Sequence, residues 1–205
     1  TNAAYAATIS DANATALDAT DLSEVGGDTT GTVTVTNAVA ISGTASAVTA
    51  ALVTPLTKVT ATTATVTITD AIADYDALDD ILGVAGNVTA SGSGSAATID
   101  TALNTNGSST DVLTLTLNAE SVAASVLTSL DGKTSVALGA GSVTTHTGSL
   151  AEVKAVVDAG ATITTNAAYA ATINDANGTA LTATDLSAVG GDTTGTVTVT
   201  NAVAI

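Results

Sequence analysis

The sequence predicts a repeat solenoid, that is, a β-solenoid with one helical side, elongated and with a thin core. Three observations indicate this class: a strand–strand–short helix pattern, a long internal duplication, and a lack of bulky side chains. The 205 residues include three Tyr but no Phe, Trp, Met or Cys. Ala, Val, Leu, Ile and Thr therefore fill the core, which favours narrow layers in which each unit contacts only its neighbours.

The pattern is clearest in residues 31–53, GTVTVTNAVAISGTASAVTAALV. Residues 32–36 alternate Thr and Val like a half-buried strand, and residues 38–41 form a second short strand. Residues 45–53 carry apolar side chains at helical spacing, and Thr44 or Ser46 is suited to cap them. The pattern predicts one coil of a solenoid.

Variants of this coil recur about every 27 residues along the chain, within the range of known solenoid units. In the third coil, residues 65–69 alternate as a strand and Asp70 is expected to cap the helix that follows. In the fifth, residues 111–117 (DVLTLTL) alternate before a helix over residues 120–130. Seven helices are predicted, with starts near Ala16, Thr44, Ala71, Ala96, Ala119, Ser149 and Ala180.

The duplication relates residues 1–41 to residues 165–205, at an offset of 164 residues. The two segments differ only at Ser10/Asn174, Ala14/Gly178, Asp18/Thr182 and Glu24/Ala188. Near-identity at a fixed offset is typical of repeat arrays. We therefore expect residues 1–205 to form a single continuous solenoid that is a fragment of a longer repeat array.

Charge and hydropathy exclude several partners. The chain carries 19 acidic and 3 basic residues, a net charge of −16, so it has no cationic surface for nucleic acid. Polar residues interrupt every apolar run well short of the roughly 18 residues that a spanning helix needs, which argues against membrane insertion. Without cysteine, disulfides and thiolate metal sites are excluded.

Threonine rows form the first candidate site. Thr-x-Thr alternation places the hydroxyls on one strand face, and stacked strands could present them as a flat, ordered array that binds ice or a glycan. The alternative is that Thr serves only as the polar β-former of the solvent face. The residues of the array are Thr32, Thr34, Thr36, Thr65, Thr67, Thr69, Thr114, Thr116, Thr196, Thr198 and Thr200.

Carboxylate-rich stretches form the second candidate site, for calcium, which prefers oxygen ligands. The candidates are Asp175 with Asn177, their counterparts Asp11 with Asn13, and Asp74 with Asp76. The alternatives are a solvated helix face for the last pair and a turn with Asn in a left-handed conformation for the others. Neither an EF-hand loop nor a GGxGxD nonapeptide is present.

Catalytic residues are not predicted. His146 is the only histidine and is expected on the surface in a polar loop. A Ser-His-Asp triad would need it as the base, and no G-x-S-x-G motif accompanies it. The chain is therefore predicted not to be an enzyme, and no cofactor is expected, with calcium as the one possible ligand.

Residues 33–53 (VTVTNAVAISGTASAVTAALV) and 65–83 (TVTITDAIADYDALDDILG) resemble giant Thr/Ala/Val-rich extracellular repeat proteins. These are the cell-surface repeat proteins of marine cyanobacteria and the repeat regions of long bacterial adhesins. The resemblance covers nearly the whole chain through composition and unit shape. It implies a secreted, extracellular or cell-surface protein without enzymatic activity.

Two functions follow as hypotheses. The first is a structural segment of an extracellular fibre, sheath or surface layer, in which further copies of the same repeat stack end to end. The second is a surface-binding or adhesin module that uses the Thr-x-Thr face, with or without calcium. Repeat copies are the expected partners, and neither nucleic acid nor membrane is.

Overall fold

The computed structural model describes residues 3–205, which divide into two compact units. The first comprises residues 3–92 and 102–113, and the second residues 93–101 and 114–205. Over the described residues the strands form three sheets, of three, seven and four strands, and the registered strand pairs are all parallel. That residues 1–205 form a single continuous domain stays a prediction.

Strands and helices alternate along the first part of the chain. The elements are β1 (Ala7–Ile9), β2 (Ala16–Asp18), α1 (Ala19–Gly27), β3 (Val33–Val35), β4 (Ala40–Gly43), α2 (Ala45–Leu52), β5 (Val59–Thr60), β6 (Thr65–Ile72), α3 (Tyr75–Leu82) and β7 (Asn87–Gly94). In the first unit the strand order is β1-β3-β5 in one sheet and β2-β4-β6-β7 in another. Thr and Val alternate outward and inward along β6, as its sequence predicts.

The remaining elements continue the alternation. They are α4 (Ala96–Ala102), β8 (Val112–Leu117), β9 (Ser121–Ala123), α5 (Ala124–Asp131), β10 (Leu138–Ala140), β11 (Thr145–Gly148), α6 (Leu150–Ala159), a 3₁₀ turn (Gly160–Thr162), β12 (Ile163–Thr165), β13 (Ala170–Ile173), α7 (Ala183–Asp192) and β14 (Val197–Val199). In the second unit the strand order is β8-β10-β12 in one sheet and β9-β11-β13-β14 in another.

Local hydrogen bonds set the helix starts. Thr44 caps α2 by accepting from the amide of Ala47, as predicted. Ser149 and Glu152 form a reciprocal capping box at the start of α6. Asp70 does not cap the helix that follows it, because it lies within β6. That helix, α3, begins five residues later and has Asp74 as its N-cap.

The prediction of an elongated β-solenoid with a thin core is wrong. Each unit is instead a compact α/β body in which helices cover parallel sheets. Large aliphatic side chains from both kinds of element fill the interiors, so the lack of aromatics does not force a thin core. The buried residues include Leu52, Leu78 and Ile81 in the first unit and Leu127, Leu130 and Val153 in the second.

The structure also does not support the descriptions solenoid, filament and tandem repeat. The regular spacing of helix starts does not produce a repeated coil, because the elements between them differ in size. Strand β5 has 2 residues and β6 has 8, and the α-helices have from 7 to 10 over the described part of the chain. Equal spacing in the sequence is therefore compatible with unequal elements in the fold.

Candidate functional site

The threonine array is divided among the three sheets. In the first unit, Thr34 of β3 lies in register with Thr8 and Thr60, and Thr67 of β6 lies in register with Thr89. The stretches at residues 32–36 and 65–69 therefore belong to different sheets.

The remaining stretches of the array lie in the second unit and are likewise separated. Thr116 of β8 lies opposite Gly139, while Thr198 of β14 lies in register with Thr172 and Thr147 in another sheet. Short rows of three threonines exist, but the eleven predicted threonines do not lie in one sheet.

Side chains of the calcium candidates Asn13 and Asn177 bond to neighbouring backbone. Asn13 Oδ1 accepts from Ala38 N at 3.1 Å, and Asn177 Oδ1 accepts from Ala202 N at 3.1 Å. The left-handed residue of each turn is not the asparagine but the next residue, Ala14 with φ of 61° or Gly178 with φ of 80°. These side chains therefore join one loop between strands to the next through a hydrogen bond.

Asp74 and Asp76 lie at the start of α3. Asp74 accepts from Ala77 N at 3.1 Å as the N-cap, and Asp76 lies in the first turn, where a negative charge suits the helix dipole. Over residues 3–205 no group of three or more His, Asp or Glu side chains is placed to hold a metal ion.

Three acidic side chains accept hydrogen bonds from the first amides of helices that begin about 25 residues earlier in the chain. Asp70 accepts from Ala45 N at 2.7 Å, Glu120 from Ala96 N at 2.6 Å, and Asp175 from Leu150 N at 2.7 Å. Each carboxylate satisfies an amide that the helix leaves unpaired. Sequence reasoning missed this role, because it looks for a cap beside its helix rather than about 25 residues further along the chain, in or next to a strand.

His146 lies in the interior of the second unit, so its predicted surface position is wrong. It belongs to β11, is fully buried, and its ring stacks on that of Tyr169 with centroids 4.0 Å apart. Among residues 3–205 neither ring nitrogen has a hydrogen-bond partner. Burial lowers the pKa of His146 to about 4, although the charge of Asp192 opposes this shift. The Tyr169 hydroxyl donates to Asp192 at 2.9 Å.

The near-identical segments share their local hydrogen bonds. Thr29 accepts from Gly31 N and donates to Tyr5 O, and Thr193 does the same for Gly195 and Tyr169 at the same distances. This turn is therefore the same in both segments, whereas the helix caps differ, because Asp18 accepts from Thr20 N and Thr182 accepts from Asp185 N.

The two segments differ in which side is covered. Six residues of the first segment form what we call the acceptor edge; they are Tyr5, Ala7, Ile9, Asp11, Leu17 and Val25. Tyr5 is 46% and Val25 38% exposed, whereas their counterparts Tyr169 and Val189 are both 0% exposed. Ile9 and Leu17 are half-buried, whereas Ile173 and Leu181 are buried.

The opposite side shows the reverse. Val33, Val35 and Ile41 are buried in the first unit, whereas Val197 and Val199 are half-buried and Ile205 is 79% exposed in the second. Strands β5 and β6 with α2 cover this side of the first segment, whereas β14 is an edge strand of its sheet among the described residues. The chain thus presents two open apolar surfaces, one on each unit.

Comparisons with protein-family models, with curated proteins and with solved structures found no match to this chain. Over residues 3–205 no helix is long and apolar enough to cross a lipid bilayer. The interpretation of the site therefore depends on the geometry of the two surfaces.

Proposed function

We propose that the chain is a non-catalytic structural component of an extracellular sheath or surface layer that associates with further copies of itself. The observation that carries this proposal is the reciprocal exposure of the near-identical segments. A side that is covered in one segment is open in the other, so each open surface has the composition of a native interior contact. Exposed apolar strand edges of this kind pair with other chains.

The chemistry of the polar groups supports a structural role. Carboxylates that could have formed a reactive cluster are instead bonded to helix amides, as Asp70, Glu120 and Asp175 are. The buried His146 has no hydrogen-bonded carboxylate to orient it and faces an aromatic ring. Such groups stabilise packing rather than transfer protons.

Extracellular placement is supported by composition. A net charge of −16 with no cysteine suits a protein exposed to salt, where ions screen repulsion over about 8 Å, and the resemblance to secreted repeat proteins favours the same site. Because like charges repel, we expect self-association to strengthen as salt is added.

Sedimentation velocity of the full chain over a range of protein and salt concentrations tests this function. We expect the average sedimentation coefficient to rise with protein concentration, and more steeply at high salt. A single monomeric species at every protein concentration and at every salt concentration would contradict the proposal.

A second candidate is a surface-binding module, with or without calcium, favoured by the register of threonines across strands. Thr147, Thr172 and Thr198 form such a row in the second unit, with neighbours about 4.8 Å apart. Replacement of Thr198 by Val tests it against a glycan or ice surface. Loss of binding would support this candidate, and no binding by the unaltered chain, with or without calcium, would exclude it.

A further inference from the structure

The acceptor edge is an open side of the first unit with a defined shape. Strand β1 pairs with β3 on one side, and an open groove of about 270 Å³ lies beside it. Apolar and acidic side chains both line this groove. They are Ile9, Leu17, Leu22 and Val25, with Asp11, Asp18 and Asp21. The edge therefore offers strand amides, an apolar surface and a carboxylate together.

The second unit shows what covers this edge. There, β13 pairs in parallel with β11, and Ala170 N and Asn174 N donate to Thr144 O and Gly148 O at 2.8 and 2.9 Å. Helix α6 packs against α7. Residues 144–159, which contain β11 and α6, are called the donor segment below.

Two side-chain contacts fix the position of the donor segment. Its His146 stacks on Tyr169, and its Leu150 amide donates to Asp175 at 2.7 Å. Their counterparts at the acceptor edge are Tyr5 and Asp11, which are both exposed in the first unit.

The sequence differences spare these contacts. None of the six residues of the acceptor edge differs from its counterpart. Lys154 of α6 donates hydrogen bonds to Asp158, and these bonds with the charges of Asp158 and Asp185 raise the pKa of Lys154. Asp21 takes the place of Asp185 in the first segment. Two differences, Asp18 and Glu24, add negative charge to the first segment, and the donor segment carries Glu152 and Asp158 beside Lys154. The two surfaces therefore repel each other at low salt, and added salt favours their contact.

We propose that the acceptor edge of one copy binds the donor segment of a second copy, in the register that residues 165–205 have in the structure. This inference depends on the proposed function and names the surfaces through which copies associate. Tyr5 would stack on the second copy's His146, and the Asp11 carboxylate would accept from its Leu150 amide.

Docking takes place by replacement, because the second copy's own residues 165–205 cover its donor segment. The contacts broken and the contacts formed are the same in kind, so the interface itself changes little in free energy. Exchange of identical elements between copies is a recognised route to association. Weakening the second copy's own cover is therefore expected to favour exchange.

Engineered cysteines test the register in the full chain, which has none of its own. Thr147 lies opposite Thr172, whose counterpart is Thr8, so T8C/T147C places two cysteines of different copies on directly paired positions. The matched control is T8C/T145C, because Thr145 lies opposite Ala170 and is two residues out of register. Diagonal positions are about 7–8 Å apart, beyond the usual reach of a disulfide.

After mild oxidation we expect several-fold more disulfide-linked dimer from T8C/T147C than from T8C/T145C on a non-reducing gel. Adding Y169A, which loosens the second copy's own cover, is expected to raise the linked fraction of T8C/T147C. Adding Y5A instead is expected to lower it. Equal linking of both cysteine pairs, or no effect of Y5A, would overturn the proposal.

Sedimentation velocity distinguishes a wrong register from a failure of self-association. If the unaltered chain associates but the two cysteine pairs link equally, the register is wrong and the structural function stands. If it is monomeric under all conditions, both proposals fail. Aggregation caused by Y169A through unfolding would not depend on register, so it would link both pairs equally and count against the proposal.

Discussion

Residues 3–41 and 165–205 carry almost the same side chains and bury opposite sides of them. Tyr5 is exposed and Ile41 is buried in the first segment, while Tyr169 is buried and Ile205 is exposed in the second. The hydrogen bonds of Thr29 and Thr193 are the same in both segments, whereas the neighbouring elements differ, so the neighbours account for the difference in burial. Equivalent substitutions in the two segments therefore measure what those neighbours contribute.

The tyrosine pair gives the largest expected contrast. Tyr169→Ala removes a fully buried ring and leaves a cavity against His146, which should cost about 3–5 kcal/mol in the free energy of unfolding. Tyr5→Ala removes a half-exposed ring and should cost less than about 1 kcal/mol. Urea denaturation followed by circular dichroism compares the two variants, and equal losses would contradict the difference in burial.

Lower pH is expected to give the next largest effect, by weakening the packing of His146 on the second segment. His146 packs on the second segment, and its folded pKa of about 4 lies below its ordinary 6.5. As the pH falls, the unfolded chain therefore binds a proton before the folded chain does. The contribution of neutral His146 to the free energy of unfolding is complete above pH 6.5, and about 3 kcal/mol is lost as the pH falls towards 4.

His146→Leu is the matched variant for this prediction, because it keeps an apolar side chain and removes the titrating group. We expect the difference in unfolding free energy between the two chains to grow in favour of His146→Leu from pH 6.5 to pH 4. A difference that does not change over this range would show that His146 is not buried in solution.

The aspartate pair gives a smaller contrast. Asp175→Ala removes the carboxylate that accepts from Leu150 N at the start of α6, and should cost about 1 kcal/mol. Asp11→Ala alters an exposed carboxylate and should change stability by less than about 0.5 kcal/mol. Thermal unfolding of both variants is the measurement, and an equal effect would mean that Asp175 caps no helix.

One turn that both segments share is expected to give changes of opposite sign. Ala14 has a φ of 61° and Gly178 a φ of 80°, a region that costs a residue with a side chain about 1–2 kcal/mol. After allowance for the flexibility of glycine in the unfolded chain, Ala14→Gly should stabilise by about 0.5–1 kcal/mol and Gly178→Ala should destabilise by a similar amount. Chemical denaturation of both variants checks the signs, and a loss on Ala14→Gly would contradict the turn geometry.

Local patterns predicted the elements better than their arrangement. Seven α-helices were expected, and the described residues contain seven, with Thr44 capping α2 and the alternation of residues 65–69 forming part of β6. These features depend on neighbours within a few residues, where side-chain period and capping chemistry act.

Features that depend on distant parts of the chain were missed. Asp70 was assigned to the helix after it, but its carboxylate bonds Ala45. His146 stands among threonines in the sequence, and only the approach of Tyr169 makes its site an interior one. The fold class failed for the same reason, because helix spacing does not specify how helices cover a sheet.

Hydrogen–deuterium exchange of the full chain tests the central claim most directly, because near-identical sequences have nearly the same intrinsic exchange rates. The amides of Ala170 and Asn174 donate to Thr144 O and Gly148 O, whereas their counterparts Ala6 and Ser10 lie along the open edge of β1. At low protein concentration, where copies are dissociated, we expect fast exchange for the amides of residues 6 and 10 in the first stretch and slow exchange for those of residues 170 and 174 in the second. Equal protection of the two stretches under those conditions would contradict the account, since the acceptor edge would then be covered within a single copy.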